Sequence, residues 1–207
     1  KKIKEEILFL KKWRNCDNIT LAGGEPILHP EIVELIGFIS GLRMKSIILT
    51  NGYALSDELL RDLKKAGLTG LSFHIDATQT RPEFNKSKIK NEMELNDLRL
   101  SYAKMLKRYG FYAHFGITVT EKSIEEVPEF IQWAIDNAAM VSGISLIIYR
   151  NLPVNESVQY FAKGDKVNLS LGSLGYATED DEIGKVNIKS PEVYAKIKSQ
   201  YPEYEAT

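Results

Sequence analysis

Hydrophobic positions follow two alternating periods along residues 1–150. Short, nearly continuous apolar runs read as strands: Asn18–Ala22, Ser46–Thr50, Gly70–Asp76, Tyr112–Thr120 and Gly143–Tyr149. Between them apolar residues recur every three or four positions, which predicts helices. The first carries Ile3, Ile7 and Leu10 on one face. The second opens at Pro30 and turns Ile32, Leu35, Ile36 and Ile39 inward. A third starts near Ser56 with Leu59, Leu60, Leu63 and Ala66 inward, and the longest carries Leu95, Leu98, Tyr102, Met105, Leu106 and Tyr109. Ser123 and Glu126 have capping-box spacing before a last helix with Val127, Phe130, Ile131, Ala134 and Ile135 inward.

Apolar strands separated by single amphipathic helices predict an α/β fold of parallel strands covered by helices. Periodicity alone does not choose between a doubly wound sheet and an arc of a barrel. Either arrangement gathers ligands at the carboxyl ends of its strands. After Arg150 the pattern fails, so residues 1–150 read as the core and 151–207 as an extension. In that extension Asn151–Asp165 reads as loop, and Val167, Leu169 and Leu171 alternate like a short strand. Glu179–Glu182 is a solvated acidic run, and Ser190-Pro191-Glu192 starts a helix that buries Val193, Tyr194 and Ile197 and stops at Pro202.

The 207 residues are 43% hydrophobic, enough for one sizeable core. With 27 basic against 28 acidic residues, the formal charge of −1 gives no bulk attraction to nucleic acid or an acidic membrane surface. No apolar stretch reaches the roughly 20 residues that span a bilayer, and no secretory signal opens the chain. Cys16, the single cysteine, has no internal disulfide partner, which points to a reducing, cytoplasmic setting. Lys1 enters directly into a helical pattern and Thr207 follows a run that completes no element, so both ends are expected to be cuts through a longer protein.

Chemistry concentrates at the strand ends. Gly23-Gly24-Glu25-Pro26 follows the first strand. Two glycines let the chain turn sharply and let a ligand approach the backbone, Glu25 offers an anion or a hydrogen-bond anchor, and Pro26 stiffens the turn. The second strand ends in Thr50-Asn51-Gly52 and the third in His74-Ile75-Asp76, whose polar side chains share one face. The fourth carries Thr118 and Thr120, and the fifth ends in Tyr149-Arg150. His29, His74 and His114 lie on separate segments without metal-ligand spacing. A dinucleotide fingerprint and a P-loop are both missing, which weighs against a nucleotide- or phosphate-binding doubly wound module.

The Gly23–Pro26 motif followed by Thr50-Asn51-Gly52 resembles the radical S-adenosylmethionine superfamily over roughly residues 1–150. The resemblance implies a partial parallel (β/α)6 TIM-like barrel, with the five strands here as its second to sixth. It implies cofactors S-adenosylmethionine and a [4Fe–4S] cluster, reductive cleavage to a 5′-deoxyadenosyl radical, and hydrogen abstraction from a substrate. Gly23, Gly24, Glu25 and Pro26 then border the methionyl amino end, with Thr50 and Asn51 beside them. Asp76, with His74 or Thr78, stands where the ribose or carboxylate is reached. Thr118 and Thr120 support the cofactor, and Leu146–Tyr149 flank the adenine. The family's CxxxCxxC loop is missing, so the cluster ligands are expected outside this chain, and the chain alone is expected to be inactive or to serve as a scaffold. Arg81, in the polar connection Ala77–Asn91, is expected to clamp an anionic substrate or cofactor group, with Phe84 as apolar cover. The resemblance extends to enzymes that methylate, or form carbon–carbon bonds on, lipids or cofactors. It implies a small-molecule or lipid-type substrate and an electron donor such as flavodoxin or ferredoxin.

Overall fold

The computed structural model describes residues 1–77, 79, 81, 89–149, 160–162, 164–167 and 188–205. Helix α1 (Lys2–Arg14) leads into β1 (Asn18–Leu21), followed by α2 (Ile32–Gly41), β2 (Lys45–Thr50), α3 (Asp57–Ala66) and β3 (Gly70–His74). The alternation continues with α4 (Asn96–Arg108), β4 (Tyr112–Val119), α5 (Val127–Asp136) and β5 (Gly143–Ile148). All five strands are parallel and lie in sequence order, each hydrogen-bonded to the next. A doubly wound sheet reverses its strand order and buries both faces. Here only one face is deeply covered: Ile48, Leu71, Phe73, Ala113, Phe115 and Ile117 are fully buried, whereas Leu49 on the other face is 38% exposed and Ile147 is 45% exposed. The sheet is therefore an arc of a parallel barrel, with its helices outside and a concave inner face.

The covered face packs on Ile36, Ile39, Leu60, Leu63, Leu106 and Phe130 from the helices, all fully buried. Phe73 stacks on Phe115 at 5.2 Å and on Tyr102 at 4.9 Å between ring centroids. Burying each such side chain stabilises the fold by about 1.5–3 kcal/mol. Ser56 caps α3 by accepting a 3.1 Å hydrogen bond from the Leu59 N–H.

Several expectations from the sequence are corrected. Pro30 does not open α2; a 3₁₀ turn at Pro26–Leu28 and a further bend come first, and the helix begins at Ile32. Leu10 is 37% exposed and Ile135 is 53% exposed, so α1 and α5 bury narrower stripes than their spacing predicts. Ser123 and Glu126 form no capping box. The Ser123 hydroxyl instead accepts from the Thr120 N–H three residues back, and Glu126 accepts from the distant Glu92 N–H. Residues 160–167 contain an antiparallel hairpin, β6 (Tyr160–Ala162) and β7 (Asp165–Val167), where loop was expected through Asp165. Gly164, at φ 92°, makes its tight turn. Helix α6 (Ser190–Gln200) docks on α5: Val193 and Ile197 are buried, and Tyr201 donates to the Pro128 carbonyl and to Gln132. Tyr194, by contrast, is 36% exposed. Thr78, Pro82, Phe84, Arg150, Leu169, Leu171 and Glu179–Glu182 lie outside the described residues.

Candidate active site

The loop after β1 is fastened to the end of β2 by one carboxylate. Glu25 Oε1 accepts from the Thr50 hydroxyl at 2.6 Å and from the Ile27 N–H at 3.3 Å, while Oε2 accepts from the Asn51 N–H at 2.8 Å. Thr50, buried among apolar residues, also accepts from the Gly52 N–H at 2.9 Å. Of the two roles the residue type allows, Glu25 thus serves as the anchor. The anchored loop leaves Gly23 (φ 107°) and Gly24 (φ 50°) in the left-handed region, and a Cβ added to either meets nothing within 4 Å. Their backbone therefore borders open space that a ligand can enter. Pro26 is buried in the 3₁₀ turn that follows. A cavity of about 340 Å³ touches the same loop, but Ile3, Leu21, Leu28, Ile32 and Leu35 line it, which places it on the helix side of the strand. Gly23, Glu25 and His29 line it as well, so its polar side borders the same strand-end loop.

Asn51 is held on three sides. Its N–H goes to Glu25, its side-chain oxygen accepts from the Tyr53 N–H at 2.9 Å, and its carbonyl accepts from Arg81 Nη1 at 2.8 Å. Arg81 turns into the protein at this point. The side chain is 4% exposed and points inward, with Nη2 also 3.4 Å from the Tyr102 hydroxyl. It ties the connection after β3 to the end of β2, because a guanidinium taken out of water needs several acceptors.

The second group of residues lies on β3 and β4. His74 Nε2 is 2.7 Å from Asp76 Oδ2 and 3.0 Å from the Thr118 hydroxyl. The Thr118 N–H adds a 3.3 Å bond to the same carboxylate oxygen. The strand period thus brings His74 and Asp76 together as predicted, and the β3–β4 register adds Thr118. Asp76 raises the His74 pKa above its ordinary value, outweighing the opposite effect of burial. Thr120 is buried and paired with Ser123. Tyr149, half-buried, donates its N–H to the Val119 carbonyl at 3.0 Å, beside Thr118.

Behind Asp76 stands a buried ion pair that pattern reading missed. Arg99 is completely buried on α4, and its Nη2 lies 2.6 Å from Glu92 Oε2. Arg99 also donates to the Ile75 carbonyl at 2.6 Å, and Glu92 accepts from the Ala77 N–H at 2.7 Å. Burial raises the Glu92 pKa and lowers that of Arg99, while each partner's charge opposes the effect on the other. Charged residues within a helical pattern read as surface; only long-range contacts show that this pair is inside.

A model of the Radical SAM superfamily matches residues 1–134, and the chain belongs to that superfamily. It is 23% identical over 130 residues to the AdoMet-dependent heme synthase of Methanosarcina barkeri, covering 63% of this chain and 36% of the relative. It is 26% identical over 190 residues to the GTP 3',8-cyclase of Peptoclostridium acidaminophilum, covering 87% of this chain and 54% of that protein. The chain therefore spans about half or less of the length of these curated relatives. The crystal structure of Streptococcus suis SuiB bound to S-adenosylmethionine shares the fold, with a TM-score of 0.55 and 19% identity over 100% of this chain and 46% of SuiB.

The superfamily's cofactors are S-adenosylmethionine and a [4Fe–4S] cluster. The residues present fit the first. Gly23 and Gly24 offer open backbone, and Asn51 Nδ2 makes no hydrogen bond among the described residues. They do not fit the second, which needs several converging thiolates. Cys16 is the only cysteine, and it lies before the first residue of β1, at the opposite end from Gly23. Among the described residues no group of histidine, cysteine and carboxylates is arranged to hold a metal, and no helix is long and apolar enough to cross a membrane.

Proposed function

We propose that this protein belongs to an enzyme that binds S-adenosylmethionine at the Gly23–Glu25 edge and uses it to abstract hydrogen from a small-molecule substrate. The observation that carries the reading is the open, positive-φ Gly23-Gly24 backbone, anchored through Glu25 to Thr50 and Asn51, within a chain of this superfamily. When bound there, the cofactor supplies reductive carbon–sulfur cleavage and a 5′-deoxyadenosyl radical. This chain's own residues bind, orient and shield. Gly23, Gly24 and Asn51 meet the methionyl end. Asp76, Thr118 and Tyr149 line the further strand ends toward the ribose and adenine. Arg81 positions Asn51 rather than meeting solvent. Leu49 and Ile147 supply the apolar part of the inner face, which helps exclude water from a reactive intermediate when a ligand covers them.

Relatives are named for making heme and for cyclising GTP. The mixed apolar and polar inner face is in keeping with a lipid-type or cofactor-type substrate undergoing methylation or carbon–carbon bond formation. The same reading has the protein working in the cytoplasm, supplied by an electron donor such as flavodoxin or ferredoxin, and acting on no nucleic acid.

The test is 5′-deoxyadenosine formation by the longest natural form, reconstituted anaerobically with iron and sulfide and reduced with dithionite. Its appearance supports the reading. Its absence from a folded, cluster-loaded protein overturns it.

A further inference from the structure

The three histidines are treated differently by the fold. His29 Nδ1 accepts from the Glu31 N–H at 3.1 Å in a local turn. His114 is satisfied at Ser72, whose hydroxyl lies 2.8 Å from Nδ1, and by a backbone hydrogen bond at Ile144. His74 is held through Nε2 from within the barrel mouth. Nε2 meets Asp76 and Thr118, whereas Nδ1 makes no hydrogen bond among the described residues, and the side chain is 34% exposed on the concave face. A carboxylate only accepts hydrogen bonds, so Asp76 selects the Nε2–H form and leaves a lone pair on Nδ1.

We propose that His74 is the general base and acid of the barrel mouth, positioned by Asp76 and Thr118, and that its Nδ1 exchanges a proton with an O–H or N–H group of the substrate. This rests on the reading that the mouth holds substrate. In the forward step the substrate's O–H or N–H bond breaks, and its electron pair stays on oxygen or nitrogen. A new N–H bond forms at Nδ1, giving an imidazolium paired with Asp76. No electron is gained or lost, and the proton leaves by the reverse step or to solvent. The neighbourhood suits a base better than an anion receptor. The groups around His74 are Asp76 two residues on, Glu92 behind it, neutral Thr118 and His114 on β4, and Leu49 on β2; Arg99 is already paired to Glu92. Asp76 holds the imidazole's proton more firmly and so raises its pKa above the ordinary value, which strengthens the imidazole as a base.

The experiment uses the longest natural form, labelled with 15N-histidine, in long-range proton–nitrogen correlation across a pH titration. Diethylpyrocarbonate labelling, mapped by mass spectrometry, follows on the same sample. The expected result is an Nε2–H tautomer for neutral His74, a titration midpoint above that of His114, and carbethoxylation at His74 Nδ1 with His114 unreacted. Asp76→Asn lowers the His74 midpoint. Thr118→Val, which removes only the hydroxyl interaction, keeps the tautomer and shifts the midpoint less. An Nδ1–H tautomer, an unreactive His74, or a midpoint unmoved by Asp76→Asn and Thr118→Val overturns the proposal. These readouts need no turnover, so absence of 5′-deoxyadenosine overturns the functional reading separately.

Discussion

Arg99 and Glu92 lie 2.6 Å apart inside the protein and grip the backbone on either side of Asp76, one through the Ile75 carbonyl and the other through the Ala77 N–H. The end of β3 is thereby fixed from behind, at the point where its polar side chains face the barrel mouth. Glu126 extends the clamp by accepting the Glu92 N–H at 2.7 Å.

Breaking this pair on one side leaves a buried charge without its partner. Arg99→Met or Glu92→Gln is expected to cost about 3–5 kcal/mol. Replacing both with apolar residues of similar volume is expected to cost clearly less than the two single losses added. Urea denaturation of the four proteins gives the coupling directly.

Two glycines with positive φ separate backbone strain from crowding. Gly24→Ala meets open space and is expected to cost about 1–2 kcal/mol through the left-handed conformation alone. Gly52→Ala carries the same strain at φ 81° and also brings a Cβ within 2.8 Å of the buried Phe73 ring. Its loss is expected to be at least about twice as large, since overpacking adds roughly 1–3 kcal/mol. Denaturation midpoints rank the pair.

Removing the Glu25 side chain leaves the Thr50 hydroxyl and the Asn51 and Ile27 N–H groups without their acceptor. Glu25→Ala is expected to destabilise by about 1–3 kcal/mol and to weaken S-adenosylmethionine binding as well. Arg81→Met is expected to destabilise by a similar order, since it deprives the Asn51 carbonyl of its donor. Calorimetric binding and urea titration on the same samples separate the two effects.

The two inner-face histidines give opposite pH dependences. His74 has a raised pKa, so its contribution to stability is complete below the ordinary value of 6.5 and is lost as pH rises through the raised value. His114 has a pKa lowered by burial, so its contribution is present above 6.5 and is lost as pH falls through the lowered value. The stability difference between wild type and His74→Gln is expected to shrink on alkalisation. That between wild type and His114→Gln is expected to shrink on acidification. Urea midpoints at several pH values check both signs.

How much of this was legible in the sequence depended on whether the governing physics was local. The strands and the inward faces of α2 and α3 followed from periodicity, because each side chain's direction is set by its own element. The His74–Asp76 pairing followed for the same reason. Pattern reading could not choose between sheet and barrel, since strand order is a long-range property. It had no means of seeing the Glu92–Arg99 pair or the inward turn of Arg81, because these depend on partners 7 to 34 residues away. The Ser123–Glu126 spacing misled because Ser123 is taken up by Thr120 and Glu126 by the Glu92 N–H.

The most direct test of the central claim is electron paramagnetic resonance of the reduced, anaerobically reconstituted longest natural form, with and without S-adenosylmethionine. The account predicts a reduced [4Fe–4S] signal that changes on adding the cofactor, with the change requiring at least about tenfold more cofactor in Gly24→Val. A signal indifferent to S-adenosylmethionine, or a change equally strong in Gly24→Val, would contradict it.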